Sequence, residues 1–226
     1  MKQDKETKNK LLVSAREEFR EKGYLKASLR NICKKAGVTT GALYFFFEDK
    51  EDLFDAVVGE TVNDIWQIMS SHFQDERDMA EDGRLNIFPK EDVQEDFATA
   101  GAVIHRMYLH REDVLLLLTK SQGTKYENIA DRFIETSEIH YRKMADVMQR
   151  AYPDKRMDDK FVHWLAHEQI DAFIYMITHI EDEKEAVEFI TQAITYMMAG
   201  WYGVFMGNAP GAGQRIDLES LKKTKG

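Results

Sequence analysis

Cysteine occurs once in the 226 residues, at Cys33. A single thiol excludes a disulfide framework and any zinc site built from cysteines. Proline occurs three times and glycine 13 times, too sparsely for the many tight turns of a β-sandwich or barrel. A glycine-rich phosphate loop is missing, and so is the strained serine turn of a hydrolase. His163 and His167 stand at i, i+4 and could share a helix face. The zinc-protease pattern still fails, because His167-Glu168-Gln169-Ile170-Asp171 supplies no second histidine in the right place. These absences lead us to expect no metal, no cofactor and no enzymatic activity. An apolar leader is absent as well: Met1 to Lys10 is polar and charged, which points to a cytoplasmic protein.

Long apolar runs are almost absent. The one stretch without charge runs from Phe189 to Gln214, and its apolar part, Phe189 to Met206, covers 18 residues. As a helix it would span about 27 Å, close to a membrane core. Thr191, Gln192 and Thr195 interrupt it, however, and its N-terminal flank is acidic rather than basic. A helix packed against protein is expected there, and no membrane partner.

Apolar residues make up 43% of the chain and charged ones 31%, which fits a folded protein with a sizeable core. The net charge of −9 is unevenly spread. Residues 1–50 hold 12 Lys/Arg against 7 Asp/Glu, whereas the remaining 176 hold 19 against 33. A basic head on an acidic body suits a protein whose one end meets a polyanion. A lysine-rich solvated first helix would give the same imbalance.

Helical periodicity runs nearly throughout, and no segment alternates with the period of a strand. Leu11, Leu12, Ala15 and Phe19 mark a first helix, with Gly23 placed to stop it. A fourth helix is expected from Asp49 to about Phe73, followed by an acidic loop from Gln74 to Lys90 containing Gly83 and Pro89. Further helices follow along Val93–Tyr108, Val114–Leu118 and Ile129–Val147. Two long ones are expected over Asp158–Ile180 and Glu183–Met206, then a flexible tail over 207–226. The expected fold is all-α with about nine helices, divided into residues 1–52, 53–206 and the tail.

The segment Ser28 to Leu53 carries the most information. Ser28 can cap a helix over Leu29–Lys35, Ala36-Gly37-Val38 can make a sharp turn, and Thr39 can cap a second helix over Thr40–Phe46. Small Cys33, then Gly37 four residues on, then apolar Leu43 six further, suit two helices crossing at close range. In a helix-turn-helix the second helix enters the DNA major groove with its N-terminal residues at base edges; here these are Thr39, Thr40 and Gly41. The hydroxyls of Ser28 and Thr39, beside helix N-termini, suit phosphate oxygens. An ordinary helical hairpin within a core has the same spacing, so both readings stand on spacing alone.

Phe19-x-x-Lys22-Gly23-Tyr24, Ala36-Gly37-Val38, Gly41-x-Leu43-Tyr44, Phe47 and Lys50-x-x-Leu53-Phe54 together resemble the N-terminal domain of the TetR family of bacterial transcriptional regulators. The resemblance covers about residues 7–58. It implies base contacts from Thr39, Thr40 and Gly41, and phosphate contacts from Ser28, Tyr44 and Lys50, with Phe45 beside them. Phe45 and Phe46 depart from the family's frequent Tyr or His and offer no polar hydrogen. Thr40 stands where Lys is common, and suits a base or thymine methyl.

The resemblance further implies a homodimeric repressor that binds double-stranded operator DNA and answers to a small, apolar or amphipathic effector. An effector pocket would draw on Trp66, Met69, Phe73, His105, Tyr108, Phe133, His140, Met144 and Trp164, each of which could equally be core. The two last long helices would pair between subunits through Phe161, Ile170, Ile174, Ile177, Phe189, Ala193, Tyr196 and Gly200. A helical carrier or enzyme for an apolar molecule, with a DNA-like head by descent only, is the alternative from another class.

Overall fold

The structure is a computed structural model that describes residues 2–81 and 90–207. Among these residues the chain is all-helical, with nine helices: α1 (Lys2–Lys26), α2 (Leu29–Ala36), α3 (Thr40–Phe46), α4 (Lys50–Glu81), α5 (Lys90–Leu109), α6 (Arg111–Lys120), α7 (Ile129–Ala151), α8 (Asp159–His179) and α9 (Glu183–Met206). Of the expected acidic loop, residues 82–89 lie outside the described residues, as does the expected tail beyond residue 207.

Local chemistry sets the boundaries. Ser28 accepts a hydrogen bond from Asn31 N at 3.4 Å to open α2, and Gly37 closes it in the left-handed conformation at φ 68°. Thr39 opens α3 by accepting from Ala42 N at 3.2 Å. Asp49 and Asp52 open α4 together: Asp49 accepts from Asp52 N at 2.8 Å, while Asp52 reaches back to accept from Glu48 N at 2.9 Å. Gly23, at φ 72° and ψ 162°, breaks the helical path as expected, but the chain then turns helical again as far as Lys26. Only glycine occupies that backbone region readily.

One expectation needs correcting. α4 does not end near Phe73 but continues to Glu81. The polar residues beyond Phe73 support the extra turns, since Gln74 donates to Asp78 at 2.6 Å and Arg77 donates to Gln74 at 2.6 Å. Such pairs one turn apart stabilise an exposed helix.

A hydrophobic cluster joins Leu11, Phe19, Ile32, Cys33 and Leu43 of the first three helices to Leu53, Phe54 and Val58 of α4. The same cluster extends to Leu116 and Leu117 of α6, to Tyr126 in the turn that follows and to Ile129 at the start of α7. A second cluster packs α5 and α6 against α8 and α9 through Ile104, Met176, Ile177 and Ile190. None of the described helices is long and apolar enough to cross a membrane.

Candidate nucleic-acid interface and internal cavity

The α2–turn–α3 unit is held rigidly on α1. The Glu18 carboxylate, almost wholly buried, accepts from Asn31 Nδ2 at 3.2 Å and Ser28 N at 3.4 Å, with Lys35 Nζ at 3.5 Å. Burial pushes its pKa up, but these partners outweigh burial and hold it below the ordinary glutamate value. Thr39, Thr40 and Gly41 are exposed along the start of α3, as is Tyr44 one turn on. Phe45 is 76% exposed, an unusual position for a phenylalanine without a partner surface. Ser28 and Thr39 use lone pairs as caps, so each hydroxyl proton stays available to an acceptor outside the protein. Burial raises the Cys33 thiol pKa, against a hydrogen bond with Thr40. Lys50 is engaged within the fold, its ammonium 3.4 Å from the Leu25 carbonyl, 3.5 Å from that of Ala27 and 4.5 Å above the Tyr24 ring.

Two ion pairs join α1 to α6. Arg16 grips Asp113 in a fork, Nε to Oδ1 at 2.7 Å and Nη2 to Oδ2 at 3.1 Å, and Arg20 pairs with Glu112. Val114, the residue after Asp113, lines an internal cavity of about 280 Å³. α4 reaches the same cavity through Val62, Ile65, Met69 and Phe73, so two helices connect the cavity with the first three. α5, α7, α8 and α9 complete the wall, which includes the methionines Met69, Met107, Met144, Met197 and Met198. Methionine is flexible and polarisable, and suits a wall that adapts to its contents.

One end of this apolar space is polar. His72 Nε2 lies 2.9 Å from Asp96 Oδ1 and 3.7 Å from Glu76 Oε2, while His140 Nε2 lies 2.8 Å from the same Glu76 oxygen. Burial lowers the His72 pKa, but the Asp96 hydrogen bond and the charges of Glu76 and Asp96 prevail and raise it. Burial likewise raises the Glu76 pKa, and hydrogen bonding and charge from His140, with charge from His72, lower it overall. The His140 ring stacks on Phe73 at 4.1 Å and 4°. Burial drives the Tyr141 phenol well above its usual pKa, aided by Glu76 and Asp96, so it stays neutral. His140 Nδ1 and Gln169 Oε1 are buried without a hydrogen-bond partner.

The structure sorts the pocket candidates. Met69, Phe73, Phe133, His140 and Met144 line the cavity. Trp66, His105, Tyr108 and Trp164 do not, and each is accounted for elsewhere. Trp66 packs on Phe133 beneath the Arg132 guanidinium. His105 bridges at the surface to Glu183 at 2.8 Å. Tyr108 donates to the Ile180 carbonyl at 2.8 Å, satisfying the end of α8. Trp164 is exposed beside Phe161.

Three of the interface candidates lie toward the interior of the chain. Ile170 and Ile174 line the cavity, and Ile177 is fully buried within the chain, so the stripe they form faces inward. Tyr196 and Gly200 are exposed, Phe161 is 37% exposed, and Phe189 and Ala193 are half-buried. Trp164 and Tyr175 join them as large exposed side chains of α8. Sequence reasoning missed His72, Glu76, Asp96 and Gln169; the His72/Glu76 spacing of four was the one available signal.

Residues 11–57 match the family profile described as bacterial regulatory proteins, tetR family. The repressor BepR of Brucella suis is 44% identical over 54 residues, 24% of this chain and 26% of the relative. The regulator AcrR of Shigella flexneri is 39% identical over 67 residues, 30% of this chain and 27% of the relative. The chain thus spans about a quarter of the length of the curated relatives it matches. A solved transcriptional regulator from Aquifex aeolicus, assigned in its description to the TerR/AcrR family, shares the fold over 84% of this chain and 99% of that one, with a TM-score of 0.50 and 20% identity. The match to the TetR family is carried by residues 11–57, from α1 to the start of α4.

Proposed function

We propose that the protein is a ligand-responsive, DNA-binding transcriptional regulator and no enzyme: a homodimeric repressor released from a palindromic operator by a small, largely apolar molecule. The observation that carries this reading is one continuous connection: α4 begins beside the capped helix-turn-helix and forms a wall of the cavity. Residues 1–52 serve as the DNA-binding head, and residues 53–206 as the ligand-binding and dimerisation body. Thr39, Thr40 and Gly41 read base edges, Ser28 and Tyr44 contact phosphate, and Phe45 packs against the sugar-phosphate edge. Lys50 leaves its carbonyl partners, or shares its ammonium with them, to meet a phosphate. Such a protein works in the cytoplasm, where the chromosome is.

Exposed Phe161, Trp164, Tyr175 and Tyr196 supply the subunit contact, with Phe189, Ala193 and Gly200. A soluble chain rarely leaves so large an apolar surface uncovered. A molecule filling the cavity pushes on α4 and α6 together, and changes the separation of the two heads. They must meet major grooves about 34–36 Å apart, so a shift of a few ångströms releases the operator.

A gel shift with DNA from the protein's own upstream region tests the reading. Binding should weaken steeply with salt, as displaced phosphate counterions require. Thr40→Ala should cost about 1–3 kcal/mol at one base pair of each half-site. Lys50→Ala should weaken all sequences alike. Equal loss over all operator variants for both substitutions removes Thr40 from base readout.

A further inference from the structure

We propose that His72, Glu76 and Asp96 form a binding site for a divalent transition-metal ion of the zinc class at the polar end of the cavity. His72 and Glu76 sit one turn apart on α4, and Asp96 reaches them from α5. Their donor atoms all lie within 4.8 Å of one another. Two ligands of a tetrahedral ion, each at about 2.0–2.1 Å, stand about 3.3 Å apart. The His72 separations of 2.9 Å to Asp96 and 3.7 Å to Glu76 bracket that value.

The surroundings are those of a built site. The three side chains are between 12% and 24% exposed, and all three line the cavity. His140 Nε2 meets the Glu76 oxygen, and the ring is fixed by its stack on Phe73. A second-sphere histidine of this kind orients a ligating carboxylate. Two carboxylates beside an apolar wall present a charge that a divalent cation neutralises. An imidazole with two carboxylates favours zinc, iron or manganese; calcium needs six to eight oxygens, and magnesium retains most of its water. Three protein ligands leave a coordination position open, as in catalytic and ligand-exchanging sites. Gln169 Oε1, buried in the cavity wall without a partner, can accept a hydrogen bond from a molecule bound there. An effector bearing an oxygen or nitrogen donor beside an apolar body fits both features; this second step rests on the reading of the cavity as an effector site, and the ion does not.

Calorimetric titration of the chelator-stripped full-length protein with zinc chloride tests the site. One ion per chain is expected. Affinity should fall at least a hundredfold in His72→Ala and Asp96→Asn, and about 10–100-fold in His140→Phe, which keeps the stack but loses the hydrogen bond. Circular dichroism and melting of each variant verify folding. His163→Ala, at the exposed His163/His167 pair, should leave binding unchanged. Absence of zinc binding overturns the proposal, as does binding that survives Asp96→Asn or is lost in His163→Ala. The titration contains no DNA, so its failure leaves the regulator reading standing, and a failed gel shift leaves the ion site standing.

Discussion

The Arg16–Asp113 fork gives the connection between the head and the cavity wall a measurable energy. The Asp113 side chain is 6% exposed and the Arg16 side chain 38% exposed, with one hydrogen bond at a charge-assisted 2.7 Å and the second longer at 3.1 Å. Removing one partner of a fully buried pair costs about 3–5 kcal/mol, because the other charge is left without water. Arg16 is more than a third exposed, so some water reaches the pair, and we expect about 2–3 kcal/mol for Arg16→Ala. Asp113→Ala should cost only about 1 kcal/mol, since it removes the buried charge itself and leaves a guanidinium that solvent can reach. The double variant should then match Asp113→Ala rather than the sum of the two. Urea unfolding followed by circular dichroism, at one fixed protein concentration, reads all three. In melting temperature, at about 2–4 °C per kcal/mol for a chain of this size, Arg16→Ala should fall by about 4–12 °C. Equal costs for the two single variants, or additivity in the double one, would show that Asp113 is not held as a buried anion and refute the reasoning.

Gly37→Ala should destabilise the protein by about 1 kcal/mol through its left-handed cap position, measured by the same unfolding, while the open space around the added methyl excludes a clash. Ile174→Ala should enlarge the cavity, cost about 2–5 kcal/mol and leave the oligomeric state unchanged in light scattering; a shift to monomer would return Ile174 to the interface. Tyr196→Asp should shift the protein toward monomer at micromolar concentration without changing its helical content, and an unaltered mass would remove α9 from the subunit contact.

Features governed by neighbours in sequence were legible. Ser28, Gly37 and Thr39 act within four residues of themselves, and the structure places their caps where the residue types put them. α9 occupies the interval Glu183–Met206 that its uncharged run and acidic start indicated. What could not be read depends on which surface a stripe meets. Ile170, Ile174 and Ile177 share one face of α8, and periodicity says that the face is covered without saying whether by the same chain or a second copy. The polar end of the cavity was hidden for a related reason. His72 and Glu76 gain their meaning from Asp96 and His140, which arrive from two other helices. His140 alone reads as a core histidine.

The cluster that runs from Leu11 to Ile129 has an evolutionary consequence. Similarity to the family profile stops at residue 57, yet the core of those first helices is closed by Leu116, Leu117, Tyr126 and Ile129. The seam between what is shared and what diverges therefore cuts through a single packed interior. A head transplanted onto a foreign body would arrive with its apolar underside unmatched at these four positions.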